Sequence, residues 1–218
     1  MQSDWLLSKL RPGGTVLCLG AHSDDIEIGC GGTLLKLAEQ VPGLTVHWVV
    51  LCAKGRRAEE ARASAEHVLE GVANRQILLE EFRNGFFPYI GAEIKEYFES
   101  LKTLESPDVI LTHCLHDRHQ DHRTVAELTW NTFRDHAVLE YEIAKYDGDL
   151  GSPNAFVTLT EGTLAKKIEI LDTHFGSQRD KQWFTADTFR GLCRLRGIEC
   201  NSPTGLAEAF YARKLVLG

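Results

Sequence analysis

Short apolar runs alternate with amphipathic stretches along most of the chain. TVLCLGAH (Thr15 to His22) is rich in strand formers. A polar turn, the glycines Gly29, Gly31 and Gly32, and then TLLKLAEQ with helical spacing follow it, so the pattern predicts strand, loop and helix. A second run, Leu44 to Ala53, leads into RRAEEARASAEHVLEG, a helix with Gly71 as its cap. After a loop carrying Phe86, Phe87, Pro88 and Tyr89, the pattern predicts a helix over about 90–104 and a strand at 108–113. A helix from about 122 to 135 and a strand near 138–144 continue the alternation. Beyond Asp147 it loosens: AFVTLT reads as a strand, LAKKIEILDTHF and TADTFRGLCRLRG as helices, and AEAFYARKLVL as a final strand.

Strands alternating with helices imply parallel pairing through right-handed crossovers. The expected fold is therefore α/β: a three-layer, Rossmann-like, mostly parallel sheet with helices on both faces. Sites in such sheets form at the carboxyl ends of strands. No linker composition, low-complexity segment or internal repeat interrupts the pattern, so residues 1–218 are expected to form a single domain.

Composition narrows the function. With 43% hydrophobic and 25% charged residues the chain reads as a soluble globular protein, and no apolar run approaches the roughly 20 residues that span a bilayer. MQSDWLLSKL lacks a secretory pattern, so a cytoplasmic location and no membrane insertion are expected. A net charge of -7 argues against nucleic acid as partner and favours a neutral small molecule. The six cysteines are scattered, with no Cys-x-x-Cys, and read as structural thiols.

Two motifs carry candidate chemistry, and each follows a predicted strand. In AHSDDIE, His22 and Asp25 can grip a metal ion, while Asp24, on the other side of an extended backbone, stays free as a base. In HDRHQDH, His119 and His122 share one face if they open a helix, so one can bind metal while the other meets substrate. A His, Asp, His ligand set with a fourth position for water is the pattern of a catalytic zinc site. The competing explanation makes the histidines surface residues and the Asp pair a helix cap. Either motif alone would favour that explanation, whereas two motifs at the same sheet edge favour the metal. GCGG lacks a G-x-G-x-x-G arrangement, so its small residues read as close packing of helix on sheet rather than a phosphate cradle.

AHSDDIEIGCGGTL together with RHQDHRTV resembles the PIG-L or LmbE-like deacetylases. That family includes N-acetylglucosaminyl-phosphatidylinositol, mycothiol-precursor, bacillithiol-precursor and diacetylchitobiose deacetylases. Weaker matches at THFGSQ and AEAFYAR extend the likeness over most of the chain. The resemblance implies Zn2+ on His22, Asp25 and His122, with Asp24 as general base. It also implies that His119 stabilises the oxyanion as a positively charged donor and that Asp121 orients or charges it. Three positions depart from the family pattern: Ser23 and Gln120 stand where Pro is usual, and Ile26 where Glu commonly follows the Asp pair, with Glu27 one place later. Asp117 also stands where some members carry a tyrosine.

On the substrate side, the resemblance extends to Arg57 and Glu60, which match an Arg-x-x-Glu pattern at the start of the family's second helix and imply an arginine that can contact a sugar; the alternative is a solvated helix pair. Phe86, Phe87 and Tyr89 form either a wall for a sugar ring or packing anchors. His174 and Gln178 either reach the site or serve structure, and His47, His67, His113 and His136 have no partner pattern. The leading expectation is removal of an N-acetyl group from an N-acetylated sugar or conjugate. An amidase on another N-acyl or thiol-conjugate substrate, a metal-binding protein without catalysis and, more distantly, a nucleotide-binding regulator are the alternatives. Assembly into a homo-oligomer is compatible with each.

Overall fold

A computed structural model describes residues 5–215. Its seven strands are β1 (Thr15–His22), β2 (Thr45–Cys52), β3 (Asn74–Leu79), β4 (Val109–His113), β5 (Ala137–Tyr141), β6 (Ala155–Thr158) and β7 (Ala207–Tyr211). They form one sheet in the order β3-β2-β1-β4-β5-β7-β6. The first five pair in parallel, while β7 runs antiparallel to both β5 and β6. The helices are α1 (Trp5–Lys9), α2 (Asp25–Gln40), α3 (Arg56–Val68), α4 (Gly91–Ser100), α5 (Gln120–Thr132), α6 (Glu161–His174) and α7 (Ala186–Glu199).

Central parallel strands are buried on both faces, which is why they read as continuous apolar runs. Alternation along β1 separates the two cores. Val16 and Cys18 pack with Leu34 and Leu37 of α2, Ala65 and Val68 of α3, and Ile170 and Leu171 of α6. Leu17, Leu19 and Ala21 face Ile94 and Phe98 of α4 and Val125 of α5. Helices therefore cover both faces of the mostly parallel sheet, as the alternating pattern predicts.

Several elements depart from the sequence pattern. β3 is half exposed at the sheet edge, and its polar start, Asn-Arg-Gln, hid it. The helices near 90–104 and 122–135 are shorter or shifted, and the last strand ends at Tyr211; positions 216–217 of that run lie outside the described residues. Among the described residues no helix is long and apolar enough to cross a membrane.

The main difference is in α2, which starts at Asp25 and runs through the glycine cluster instead of after it. Small residues let this helix lie against the sheet. A Cβ on Gly29 would overlap the ring of Tyr141, and one on Gly32 would stand 2.7 Å from Leu159 Cδ1. The helix breaks at Cys30 (φ -146°, ψ 16°), freeing backbone groups that buried side chains then satisfy. Lys167 Nζ donates to the Ile28 carbonyl at 2.7 Å, while Glu208 accepts from the Gly32 and Thr33 amides at 2.8 and 2.6 Å. Lys167 and Glu208 pair with each other at 2.6 Å, so α2, α6 and β7 are fastened at the break. Removing one partner of a buried ion pair strands the other charge. Lys167→Met is expected to lower unfolding free energy by about 3–5 kcal/mol in urea titrations.

Candidate metal and catalytic site

β1 and β4 are neighbours whose chain connections leave toward opposite sheet edges, so a crevice opens beyond their carboxyl ends. His22 ends β1, His113 ends β4, and the loop after β4 carries Asp117 and His119 into α5, which contains Asp121 and His122. Both sequence motifs therefore meet at one place.

Three donor atoms form a compact triangle. His22 Nδ1 lies 3.1 Å from His122 Nε2 and 3.3 Å from Asp25 Oδ2, and the last two are 3.5 Å apart. Ligands placed about 2.0–2.2 Å from a tetrahedral metal are separated by roughly 3.4 Å, so this triangle matches one face of such a site. All three residues line a cleft of about 330 Å³, which leaves that face accessible from outside. Asp25 and His122 are otherwise buried.

A second ring of groups fixes the triangle. The His22 amide donates to Asp25 Oδ2 at 2.7 Å. His122 Nδ1 meets Asp117 Oδ2 at 2.9 Å, which leaves Nε2 as the ligand nitrogen. Asp117 is itself held by Lys145 Nζ at 2.9 Å and by the His119 amide at 2.8 Å. Asp121 accepts the amides of Gly85 and Phe87 and lies 3.3 Å from His22 Nε2. Its carboxylate thus orients His22, and its link to His119 runs through the backbone instead: the Asp121 amide donates to His119 Nδ1 at 3.2 Å. That bond makes Nδ1 the acceptor and leaves Nε2–H as a donor. Behind Asp25 stands His113, fully buried and stacked on His122, with Nε2 3.1 Å from Asp25 Oδ2 and 3.0 Å from the Ala21 amide.

Asp24 lines the cleft outside the triangle. It stands at the start of α2 but its side chain makes no capping bond, so Asp24 does not serve as a hydrogen-bonding helix cap. Arg57 Nη2 donates to its Oδ1 at 2.7 Å. The Arg57–Glu60 pair, the alternative to a sugar contact, does not form: Glu60 instead binds Arg56 and receives the Ser177 amide at 2.9 Å.

The electrostatics call for a cation. Burial opposes charge on His22, yet Asp25 and Asp121 raise its pKa to about 10, so without a metal a proton sits between these carboxylates. Burial works to raise Asp25, but His122, His113 and His22 hold it well below the usual carboxylate range. Burial and neighbouring His113 push His122 down to about 3, the neutral form a ligand needs. Burial raises Asp24 and Arg57 opposes the rise. Burial, aided by His22, lowers His119 from the ordinary histidine range.

The GlcNAc-PI de-N-acetylase (PIG-L) family matches residues 17–133, a span that includes both motifs. The chain belongs to this family. Among solved structures, the conserved protein TT1542 from Thermus thermophilus is 20% identical at a TM-score of 0.72, covering 93% of this chain and 96% of its own. An N,N'-diacetylchitobiose deacetylase from Pyrococcus horikoshii is 20% identical at 0.69, covering 90% and 82%. GalB, a 4-carboxy-2-hydroxymuconate hydratase from Pseudomonas putida, is 17% identical at 0.69, covering 94% and 98%. These likenesses establish the shared fold, and a deacetylase and a hydratase both use it.

Several residues sit elsewhere than the sequence suggested. Phe87 is buried near His22, Phe86 lies under Arg83, and Tyr89 is exposed; none of the three lines the cleft. His174 pairs with His67 at 3.1 Å, and Gln178 is buried against Ser177. Sequence reasoning missed His113, although its place at the end of a strand beside the second motif was a usable signal. It also missed Lys181 and Trp183, which do line the cleft. Cys52 lines it too.

Glu27 is buried beside Ser64, with both carboxylate oxygens lacking a hydrogen-bond partner within ordinary distance, and burial raises its pKa to about 8. A folded-state pKa above the unfolded value of roughly 4.3 means stability is full below that value and falls as pH rises through 8. In metal-free protein, Glu27→Gln is therefore expected to exceed wild type in stability at pH 8, with the gap closing toward pH 5. Urea denaturation at both pH values measures this, and a gap independent of pH would refute it.

Proposed function

We propose that the protein is a zinc-dependent N-deacetylase that removes the acetyl group of an N-acetylated sugar or sugar conjugate. The observation that carries this reading is the donor triangle of His22, Asp25 and His122, open to a cleft that also holds an uncoordinated carboxylate, Asp24. Membership of a family described as GlcNAc-PI de-N-acetylases supports the substrate class. Zinc suits mixed imidazole and carboxylate donors at these separations. When bound there, zinc would supply Lewis acidity, lowering the pKa of water to about 7 and polarising a carbonyl.

The chain's own residues divide the remaining work. Arg57 fixes one oxygen of Asp24, whose other oxygen makes no hydrogen bond among the described residues. Asp24 takes the proton of the attacking water as oxygen adds to the amide carbon, then delivers it to the nitrogen as the carbon–nitrogen bond breaks. His119 donates its Nε2–H to the carbonyl oxygen as negative charge develops, an interaction strongest in the transition state. Asp117 and Asp121 hold His122 and His22 in the ligating orientation, the usual work of carboxylates behind metal-binding histidines. Arg57 thus acts here through Asp24, in place of the direct sugar contact its sequence pattern suggested.

Acetate release from a panel of N-acetylated sugars and other N-acyl amines tests the activity and separates it from a broader amidase. Asp24→Ala is expected to retain stoichiometric zinc and lose about a hundredfold to ten-thousandfold in turnover; undiminished turnover would sink the base assignment. His122→Ala should lose both metal and activity. Asp117→Asn is expected to weaken zinc binding by about 10–100-fold in chelator competition. Unchanged affinity would show that this carboxylate does not support the metal.

A further inference from the structure

The cleft of about 330 Å³ lies at the lower end of small-molecule sites, which run from roughly 300 to 1,000 Å³. One sugar ring with its acyl group fills such a space, and the rest of a conjugate extends outside. Four cationic side chains line it: Lys54, Arg57, Lys145 and Lys181. Three have carboxylate partners. Arg57 is on Asp24, Lys145 lies between Asp117 and Asp149 at 2.9 and 2.8 Å, and the exposed Lys54 leans on Glu81 at 3.4 Å.

Lys181 differs from them. It is partly buried and makes neither an ion pair nor a side-chain hydrogen bond among the described residues. Its ammonium lies 5.4 Å from the ring centre of Trp183 and is close enough to Asp24 to be felt there. With no direct ion-pair partner, the Lys181 ammonium is available for a charge-assisted contact with an anion entering the cleft.

The segment is held in place rather than loosely draped. The Lys181 amide donates to Gln178 and the Phe184 amide donates to the Lys181 carbonyl, each at 3.0 Å. Phe184 is buried against Phe175 and Phe189, and upstream Ser177 is tied to Glu60 on α3. Trp183 packs edge-on against Phe184 and Tyr146, and its indole N–H donates to no group among the described residues. Among the described residues it is the one tryptophan lining the cleft, and aromatic faces suit the C–H-rich faces of sugar rings.

We propose that Lys181 and Trp183 form the substrate-selecting subsite: Trp183 covers a face of the sugar ring, and Lys181 pairs with a carboxylate or phosphate carried on that sugar. This rests on the deacetylase reading, because the N-acyl group must lie at the donor triangle for the ring to reach Trp183.

The test uses N-acetylglucosamine, its 1-phosphate and its 3-O-lactyl ether, which carry no anion, a phosphate and a carboxylate. Calorimetric binding is measured on zinc-loaded Asp24→Asn protein, so that no probe is consumed, and acetate release is measured on wild type. At least one anionic probe is expected to bind about tenfold tighter than the neutral sugar, the effect of roughly 1.4 kcal/mol from one charge-assisted contact. The stronger of the two identifies the anion. Adding Lys181→Met should bring the ratio close to one, and adding Trp183→Ala should weaken all three probes. Equal affinity for neutral and anionic sugars, a preference that survives Lys181→Met, or no binding of any probe at millimolar concentration would overturn the subsite. Acetate release without anion preference leaves the deacetylase reading standing and removes the subsite. Lys181-dependent anion selectivity without acetate release from any probe keeps the anion contact but counts against the deacetylase reading, and with it the placement of the N-acyl group at the donor triangle.

Discussion

The active end of this protein depends on burying one carboxylate, Asp25, among three histidines. An isolated buried carboxylate is prohibitively costly, and the same group becomes favourable once cations or hydrogen-bond donors surround it. The protonated His22 ring and the His22 amide supply the charge and the donor to its Oδ2, with His113 and His122 packed around it. Three separate segments must converge for this: the end of β1, the end of β4 and the first turn of α5. The fold solves the problem at the switch point of the sheet. There, adjacent parallel strands deliver side chains to one spot while their connecting chains diverge. Without metal, the charge balance is met by a proton on His22; a divalent ion would replace that proton with a stronger and fixed charge.

That convergence has a structural cost, which falls on α2. The helix must begin immediately after Asp24 for Asp25 to turn inward, yet its next turns run beneath Tyr141 and Leu159. Gly29 and Gly32 allow the approach, the break at Cys30 redirects the axis, and Lys167 and Glu208 satisfy the exposed peptide groups. Tyr141 in turn donates to the Leu19 carbonyl and approaches His113, so the residue that forces the glycine also steadies the histidine behind the site. Packing and site geometry are one set of contacts here.

The central strands and the covering helices were legible because their hydrophobic periods are unmixed, and the donor triangle was legible because both motifs follow such strands. What stayed hidden depends on partners distant in sequence. The motif GCGG reads locally as a turn, and only Tyr141 and Glu208, more than a hundred residues away, make it a broken helix. His113 looked like the last residue of an ordinary strand until Asp25 and His122 closed on it. Arg57 was noticed as a cation at a helix start, but its proximity to Asp24 comes from the β1–β2 pairing that sets α3 beside α2. Lys181 and Trp183 belong to an irregular segment with no period at all. Their position follows from the burial of Phe184 and the Ser177–Glu60 anchor.

Helix α3 joins these parts. Its first turn places Arg57 on Asp24, and one turn later Glu60 holds Ser177 at the start of the segment that bears Lys181 and Trp183. The carboxylate proposed as base and the wall proposed to receive the sugar are thus referred to the same rigid rod. Arg57 and Glu60 are three residues apart and therefore share a helix face. A shift of α3 would move base and wall together relative to the donor triangle, whereas rearrangement of the 180–185 segment alone would alter the wall and leave the base in place. The Arg-x-x-Glu spacing is therefore explained by two different partners on one face, neither of them the other member of the pair.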